Sequence, residues 1–235
     1  MDDTSRSAGD AQAVRVDVGD AVLDGNLDMP ERAQGVVLFV HGSSGRHGPR
    51  NRYVAGQLRR GGLATLLVDL VADDGEPDDL QSDEPRLDVE LLARRVVGAC
   101  DWLAGQPPTR ELPIGLFGAS TGAAAALVAA AERPERVSAV VSRGGRPDLA
   151  GLALPRVKAP TLLIVGGSDY PVISRNLHTG RAGHSARAPA CPSPGARPPI
   201  CGLDRSCEDL LSSLAPGGQL RPPRCCGSRY RAPEP

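Results

Sequence analysis

The stretch Pro113-Ile114-Gly115-Leu116-Phe117-Gly118-Ala119-Ser120-Thr121-Gly122 runs directly into Ala123-Ala124-Ala125-Ala126-Leu127-Val128-Ala129-Ala130-Ala131. An apolar run leads into Gly-x-Ser-x-Gly, and a segment of strong helix propensity leads out. That order predicts a strand, a tight turn and a helix, with Ser120 on the turn above the end of a sheet. Gly118 and Gly122 carry no Cβ, so strand and helix can crowd together around the serine. The helix then directs its N-terminal N–H groups and partial positive charge to the place where an oxyanion would form. Gly-x-Ser-x-Gly alone arises easily in a chain with 28 glycines. Its position between a strand and a helix is what makes Ser120 a candidate nucleophile.

Working outward, Val14-Arg15-Val16-Asp17-Val18 alternates, and residues 21–28 alternate again after Gly19-Asp20, predicting an antiparallel hairpin at a sheet edge. Gly35-Val36-Val37-Leu38-Phe39-Val40 is a continuous apolar run, as a strand buried on both faces requires. It ends in His41-Gly42-Ser43-Ser44-Gly45, a loop able to offer backbone N–H groups. Residues 51–60 predict a short amphipathic helix stopped by Gly61-Gly62, and residues 64–70 another buried strand. Apolar residues at 87, 91, 92, 96, 99 and 103 mark one face of a longer helix, near whose end Cys100 and Trp102 read as packing residues.

Residues 137–142 and 160–165 are two further strands, the first followed by Arg143-Gly144-Gly145-Arg146 and the second by Gly166-Gly167-Ser168-Asp169. Strands alternating with helices predict an α/β protein with a mostly parallel, doubly wound sheet and helices on both faces. Ligands of such sheets bind at the carboxyl ends of the strands. The His41 loop, Ser120, Arg143 and Asp169 all fall at those ends, and this convergence points to a catalytic site.

The whole chain narrows the classes. Its 235 residues suit one α/β domain. A net charge of −1 offers no general attraction to nucleic acid or anionic membrane. Residues 1–12 are polar and acidic, without the basic and apolar regions of a signal peptide, and no run approaches the roughly 18 apolar residues of a membrane span. A disordered N-terminus and a soluble, cytoplasmic protein are therefore expected. Residues 73–84 hold seven carboxylates without the spacing of a calcium loop and read as a solvated acidic loop. Five of the six cysteines lie beyond residue 190 with no C-x-x-C among them, which argues against a zinc site.

A serine hydroxyl attacks only when a base removes its proton, and that base is usually a histidine oriented by a carboxylate. Asp169 follows the serine in the chain order nucleophile, acid, histidine. Thr121 and either Ser43 or Ser44 would supply the two N–H groups of an oxyanion hole. His41 reads as a brace for its loop through hydrogen bonds rather than as a base. Arg143 is placed to attract a substrate carboxylate. The short interval between Ser142 and Pro160 leaves no room for a large lid, so the site should be open and suit small substrates.

Residues 14 to about 176 resemble the α/β-hydrolase superfamily, specifically its dienelactone-hydrolase-like branch. The resemblance rests on Phe-Val-His-Gly-Ser-Ser-Gly at 39–45, Gly-Ala-Ser-Thr-Gly-Ala-Ala-Ala-Ala at 118–126, Val-Val-Ser-Arg-Gly-Gly-Arg-Pro-Asp-Leu-Ala at 140–150 and Pro-Thr-Leu-Leu-Ile-Val-Gly-Gly-Ser-Asp at 160–169. It implies the α/β-hydrolase fold and hydrolysis of a small ester or lactone through an acyl-enzyme, with no cofactor and no metal. It carries Ser120 over as nucleophile and Asp169 as acid. The branch's best-known members more often use cysteine where this chain has serine.

The pattern breaks after Asp169. The family continues with a helix, a last buried strand, a loop bearing the catalytic histidine and a closing helix. Beyond about residue 177 this chain instead scatters proline, arginine and cysteine, with no apolar run resembling a strand. The expectation is an α/β-hydrolase domain over 13–176 lacking the last strand and helix, and a disordered segment over 177–235. An out-of-frame reading of a GC-rich coding sequence would produce the same abrupt change. The histidines are His41, His47, His178 and His184, and the last two follow Asp169 too closely to reach the usual base position easily after a crossover, which leaves a loop folding back with His184 as the alternative route to a base. The functional expectation is a serine hydrolase impaired by the missing base. The alternative is a catalytically inactive binding protein of this fold, or a defective truncated product.

Overall fold

The computed structural model describes residues 11–41, 46–71 and 88–166, together with 169, 172, 176 and 186–187. The acidic loop at 73–84, Ser43, Ser44, His178 and His184 lie outside these residues, as does nearly all of 177–235. The first two strands, β1 (Gln12–Asp17) and β2 (Val22–Asp28), form the expected antiparallel hairpin. Its turn is closed by Gly19 N–H donating to Asp17 Oδ1 at 2.9 Å. The apolar runs become β3 (Val36–Val40), β4 (Ala64–Val68), β5 (Ile114–Ala119), β6 (Val137–Arg143) and β7 (Thr161–Ile164). A two-residue β8 (Ala186–Arg187) follows. They assemble into one sheet of order β1-β2-β4-β3-β5-β6-β7-β8. β2 is antiparallel to β4, and every pairing from β4 through β8 is parallel.

Each helix starts and stops for a local reason. In α1 (Pro49–Arg60), proline occupies the first turn, where its missing N–H costs nothing. Gly61 N–H then closes on Gln57 O at 3.1 Å. In α2 (Val89–Gly105), Asp88 is the cap, accepting from Glu90 N–H at 2.9 Å. The elbow helix α3 (Thr121–Glu132) has no polar stripe: nine of its residues are buried. It is enclosed by the sheet, α2 and a 3-10 segment, Pro147–Arg156, that follows β6. That segment occupies the interval in which the sequence shows only the absence of a lid. Gly151, with φ +49°, and Pro155 interrupt any α-helical rhythm there.

Alternation along the strands sends side chains to two cores. On one face Val37, Phe39, Leu67, Phe117 and Val141 pack against Val54 and Leu58 of α1. On the other, Val36, Leu38, Leu116 and Val140 pack against Leu92, Val96 and Leu103 of α2 and Leu127 of α3. Of the helical face read at 87–103, Leu87 lies outside the described residues, while Leu92, Val96, Ala99 and Leu103 are buried on α2, with Cys100 among them and Trp102 packed at the margin. Burial pushes the Cys100 thiol up to about 12.

Among the described residues beyond 176, Ala186–Arg187 pairs with β7, through Thr161↔Ala186 and Leu162↔Arg187. Two residues at a sheet edge need only backbone bonds on one side. No apolar run announces them.

β3 lies between β4 and β5, so the chain steps outward on one side and returns on the other. The carboxyl ends of β3 and β5 flank this switch point, the usual place for a ligand. Helix and strand meet there at closest range. A Cβ on Gly122 would lie 2.2 Å from Val40 O, and one on Gly118 would lie 2.6 Å from Ala123 Cα. Backbone cannot yield as a flexible side chain does, so Gly122→Ala is expected to destabilise the fold by about 2 kcal/mol. Urea unfolding should show a lower midpoint with an unchanged slope.

Candidate active site

Ser120 sits between β5 and α3 with φ 53° and ψ −130°, and it is the only non-glycine residue with positive φ among those described. Such a conformation costs on the order of 1–3 kcal/mol and persists only where its surroundings impose it. Three contacts do so. Ala123 N–H donates to the Ser120 carbonyl at 3.2 Å and Arg146 N–H donates to the same oxygen at 3.0 Å. Gly145 is wedged beside them, since a Cβ there would lie 2.4 Å from Ala123 Cβ and 2.3 Å from Ser142 Oγ. The serine is exposed. Thr121 follows it as the first residue of α3, whose leading N–H groups have no carbonyl four residues back to donate to.

The neighbouring strand ends carry the other groups. Across the sheet, Ala119 is in register with Arg143, and Arg143 with Ile164. Arg143 ends β6 half-buried, on the face of the sheet that also bears Phe39 and His41. His41 follows β3 and is 5% exposed. Its ring lies 6.0 Å from that of Phe39 and 6.2 Å from that of Phe117. Burial, and secondarily the Arg143 guanidinium, lowers its pKa to about 4. The imidazole is therefore neutral at physiological pH. Among the described residues its Nε2 has no hydrogen-bond partner, and the ring packs against Phe39 and Phe117; the loop it is expected to brace, residues 42–45, lies outside the described residues. The loop that His41 opens is anchored at its far end, where Arg46 N–H donates to Asp69 Oδ1 at 2.8 Å and Arg46 Nε lies 2.6 Å from Asp69 Oδ2.

Asp169 lies beyond β7, exposed, with its own N–H donating to Gly166 O at 3.0 Å. Its Oδ1 accepts from Val172 N–H at 3.3 Å, the bond of a residue capping a helical turn. Val172 and Asn176 are helical. Asn176, which the sequence reading passed over, is 4% exposed and donates from Nδ2 to Val172 O at 2.8 Å and to Gly145 O at 3.2 Å. Apolar Tyr170, Ile173 and Leu177 at spacings of three and four are the available signal for a helix here, but nothing in the sequence marks out the asparagine, whose distant partner is Gly145. Ser120, Thr121, Arg143 and Asp169 thus all follow or end neighbouring parallel strands at one edge of the sheet. Ser43 and Ser44 lie outside the described residues. Among those residues, no cluster of three or more His, Cys, Asp or Glu is arranged to hold a metal, and no helix is long and apolar enough to cross a membrane.

The buried imidazole has a measurable consequence. The folded chain holds the His41 proton less tightly than the unfolded chain, whose pKa is near the ordinary 6.5. Stability from this residue is therefore complete above pH 6.5 and is lost as pH falls toward 4, by about 1.4 kcal/mol per pH unit. Urea unfolding between pH 4.5 and 7.5 should show His41→Gln with a slope shallower than that of the parent by nearly one proton.

The profile of the dienelactone hydrolase family matches residues 23–189, past the expected limit at 176. The crystal structure of a dienelactone hydrolase from Anabaena variabilis is 52% identical, with a TM-score of 0.75 over 88% of this chain and 94% of that one. Est1E from Butyrivibrio proteoclasticus is 16% identical with a TM-score of 0.62 over 77% of this chain and 88% of that one, a likeness of fold alone. Two proteins of Mycobacterium tuberculosis, from strains CDC 1551 and H37Rv and provisionally named phosphoribosyl transferases, are 53% identical over 166 residues. That match covers 70% of this chain but only 37% of each relative, so the chain spans little more than a third of their length. A strained serine between strand and helix, the eight-strand order around it and a family profile running through both lead to one conclusion: the chain belongs to the dienelactone hydrolase family.

Proposed function

We propose that this chain is a serine hydrolase module acting on a small ester or lactone, with Ser120 as nucleophile and Asp169 as the acid. The observation that supports this most directly is the imposed φ of 53° at Ser120, directly before the N-terminus of α3. Strain of this kind is maintained against its cost when it aims a reacting atom. In the acylation step the Ser120 Oγ–carbon bond forms and the bond to the leaving alkoxide breaks. The negative charge that develops meets Thr121 N–H and an N–H from Ser43 or Ser44. Arg143 supplies the nearby positive charge and favours substrates that carry a carboxylate. The neutral His41 adds no second charge, and burial together with the guanidinium disfavours its taking up the serine proton.

The base is the weak point of this machinery. Residues 188–235, which follow β8, contain no histidine. The Ser120 proton then goes to water, and acylation runs orders of magnitude below that of a complete triad while binding and the oxyanion hole still contribute. The same observation favours a second reading, a hydrolase-fold protein that binds its ligand without turning it over. The transferase name belongs to mycobacterial proteins of which this match covers only 37%. We assign no such activity to this chain.

A fluorophosphonate probe is expected to modify Ser120 slowly, with the modified peptide located by mass spectrometry. Ser120→Ala should abolish labelling, and Asp169→Asn should slow it by about tenfold. Imidazole added at tens of millimolar should accelerate release of p-nitrophenol from p-nitrophenyl acetate severalfold by supplying the absent base. A folded chain that stays unlabelled at Ser120 would favour the binding-protein reading.

A further inference from the structure

The acid turn and the nucleophile elbow belong to different strand ends, with β6 between them, yet described hydrogen bonds join them without a gap. Asp169 Oδ1 accepts from Val172 N–H at 3.3 Å. Asn176 Nδ2 donates to Val172 O at 2.8 Å and also to Gly145 O at 3.2 Å. The next residue after Gly145 donates its N–H to the Ser120 carbonyl at 3.0 Å. One side chain spans the middle of this path. Because both its hydrogen-bond partners are carbonyls, the amide nitrogen must face them, and the orientation of the Asn176 amide follows from the chemistry.

From this path we propose that Asn176 is a positioning residue, joining the turn that carries Asp169 to the Gly145–Arg146 link that holds the Ser120 backbone in its strained conformation. The proposal rests on the reading of Ser120 as nucleophile and adds the element that fixes the acid relative to it. Three physical features support the role. First, Asn176 is 4% exposed, so water competes little for its two hydrogen bonds. Second, Gly145 is packed against Ala123 Cβ and Ser142 Oγ at distances that leave no space for a side chain. A pull on its carbonyl therefore moves the adjoining Arg146 N–H rather than dissipating locally. Third, Ser120 relies on that N–H as one of only two described donors to its carbonyl. Loss of the link would let the elbow relax toward an unstrained φ and turn its hydroxyl away from the acid.

The test separates the bridge from a merely local bond. Asn176→Ala deletes both hydrogen bonds. Asn176→Ser retains a hydroxyl able to reach the carbonyl four residues back, as serine does on helices, but is too short to reach Gly145. In the full chain, fluorophosphonate labelling is followed as a function of probe concentration, alongside amide hydrogen exchange at Arg146, Leu38 and Leu116. Both variants are expected to lower the limiting labelling rate at Ser120 about tenfold with the half-saturating probe concentration unchanged. Exchange at Arg146 should accelerate about tenfold, while Leu38 and Leu116 in the central strands keep their protection. Serine restoring the parental rate would overturn the proposal, because the local turn bond would then suffice. Unchanged Arg146 exchange, or equal loss of protection at all three amides, would overturn it as well. If the parent chain is not labelled at all, the nucleophile reading fails separately. The bridge then stands or falls on Arg146 exchange alone.

Discussion

The close crossing of α3 over the carboxyl end of β3 governs this structure. Gly122 faces the Val40 carbonyl with no room for a methyl group, and Gly118 faces the backbone of Ala123 in the same way. These backbone contacts set where the helix begins, and with it the conformation of Ser120. The cost of the strained residue is of the same order as burying one or two apolar side chains. Nine buried residues on α3, packed between the sheet, α2 and the 3-10 segment, are more than sufficient to hold it. Removing a single contact at the elbow would therefore not unfold the chain, although it would change where the hydroxyl points.

Positive groups stand nearest that hydroxyl in the sheet. The α3 N-terminus and Arg143 are positive, and His41 is kept neutral by burial and by the same arginine. Asp169 follows β7, on the far side of β6, with one oxygen engaged by Val172 N–H. Such a field suits a developing oxyanion or an anionic substrate group. It also explains why a buried imidazole beside the site makes a poor proton acceptor, since charging it would place a second cation next to Arg143 without solvent to screen either one.

Most of the fold was legible because the physical signals are local. Continuous apolar runs mark β3 through β7, the alternating hairpin marks β1 and β2, and Gly61-Gly62 and Arg133-Pro134 mark the ends of α1 and α3. Ser120 and Asp169 could be singled out because each sits at a predictable strand end. Features held by backbone geometry or by distant partners were not legible. Pro147–Arg156 forms 3-10 turns across a glycine with positive φ, for which no periodicity exists to be read. Ala186–Arg187 joins the sheet through backbone bonds that any two residues can make. Asn176 acquires its importance from Gly145, thirty-one residues away in sequence. His41 illustrates a different limit: its motif does not reveal that the Phe39 and Phe117 rings, from positions 2 before and 76 after it, pack against the imidazole.

The alanines of α3 carry an implication for heat and motion. From Ala123 to Ala126 the helix offers its surroundings four buried methyl groups and no rotatable side chain. An alanine has no rotamers to lose on folding and none to recover on warming. The segment that follows Ser120 therefore cannot loosen by side-chain hopping, as a leucine-lined helix can. As temperature rises, disorder should accumulate first in the loops around the Ser120 hydroxyl and only afterwards in its support, so the hydroxyl would lose its surroundings before it loses its aim.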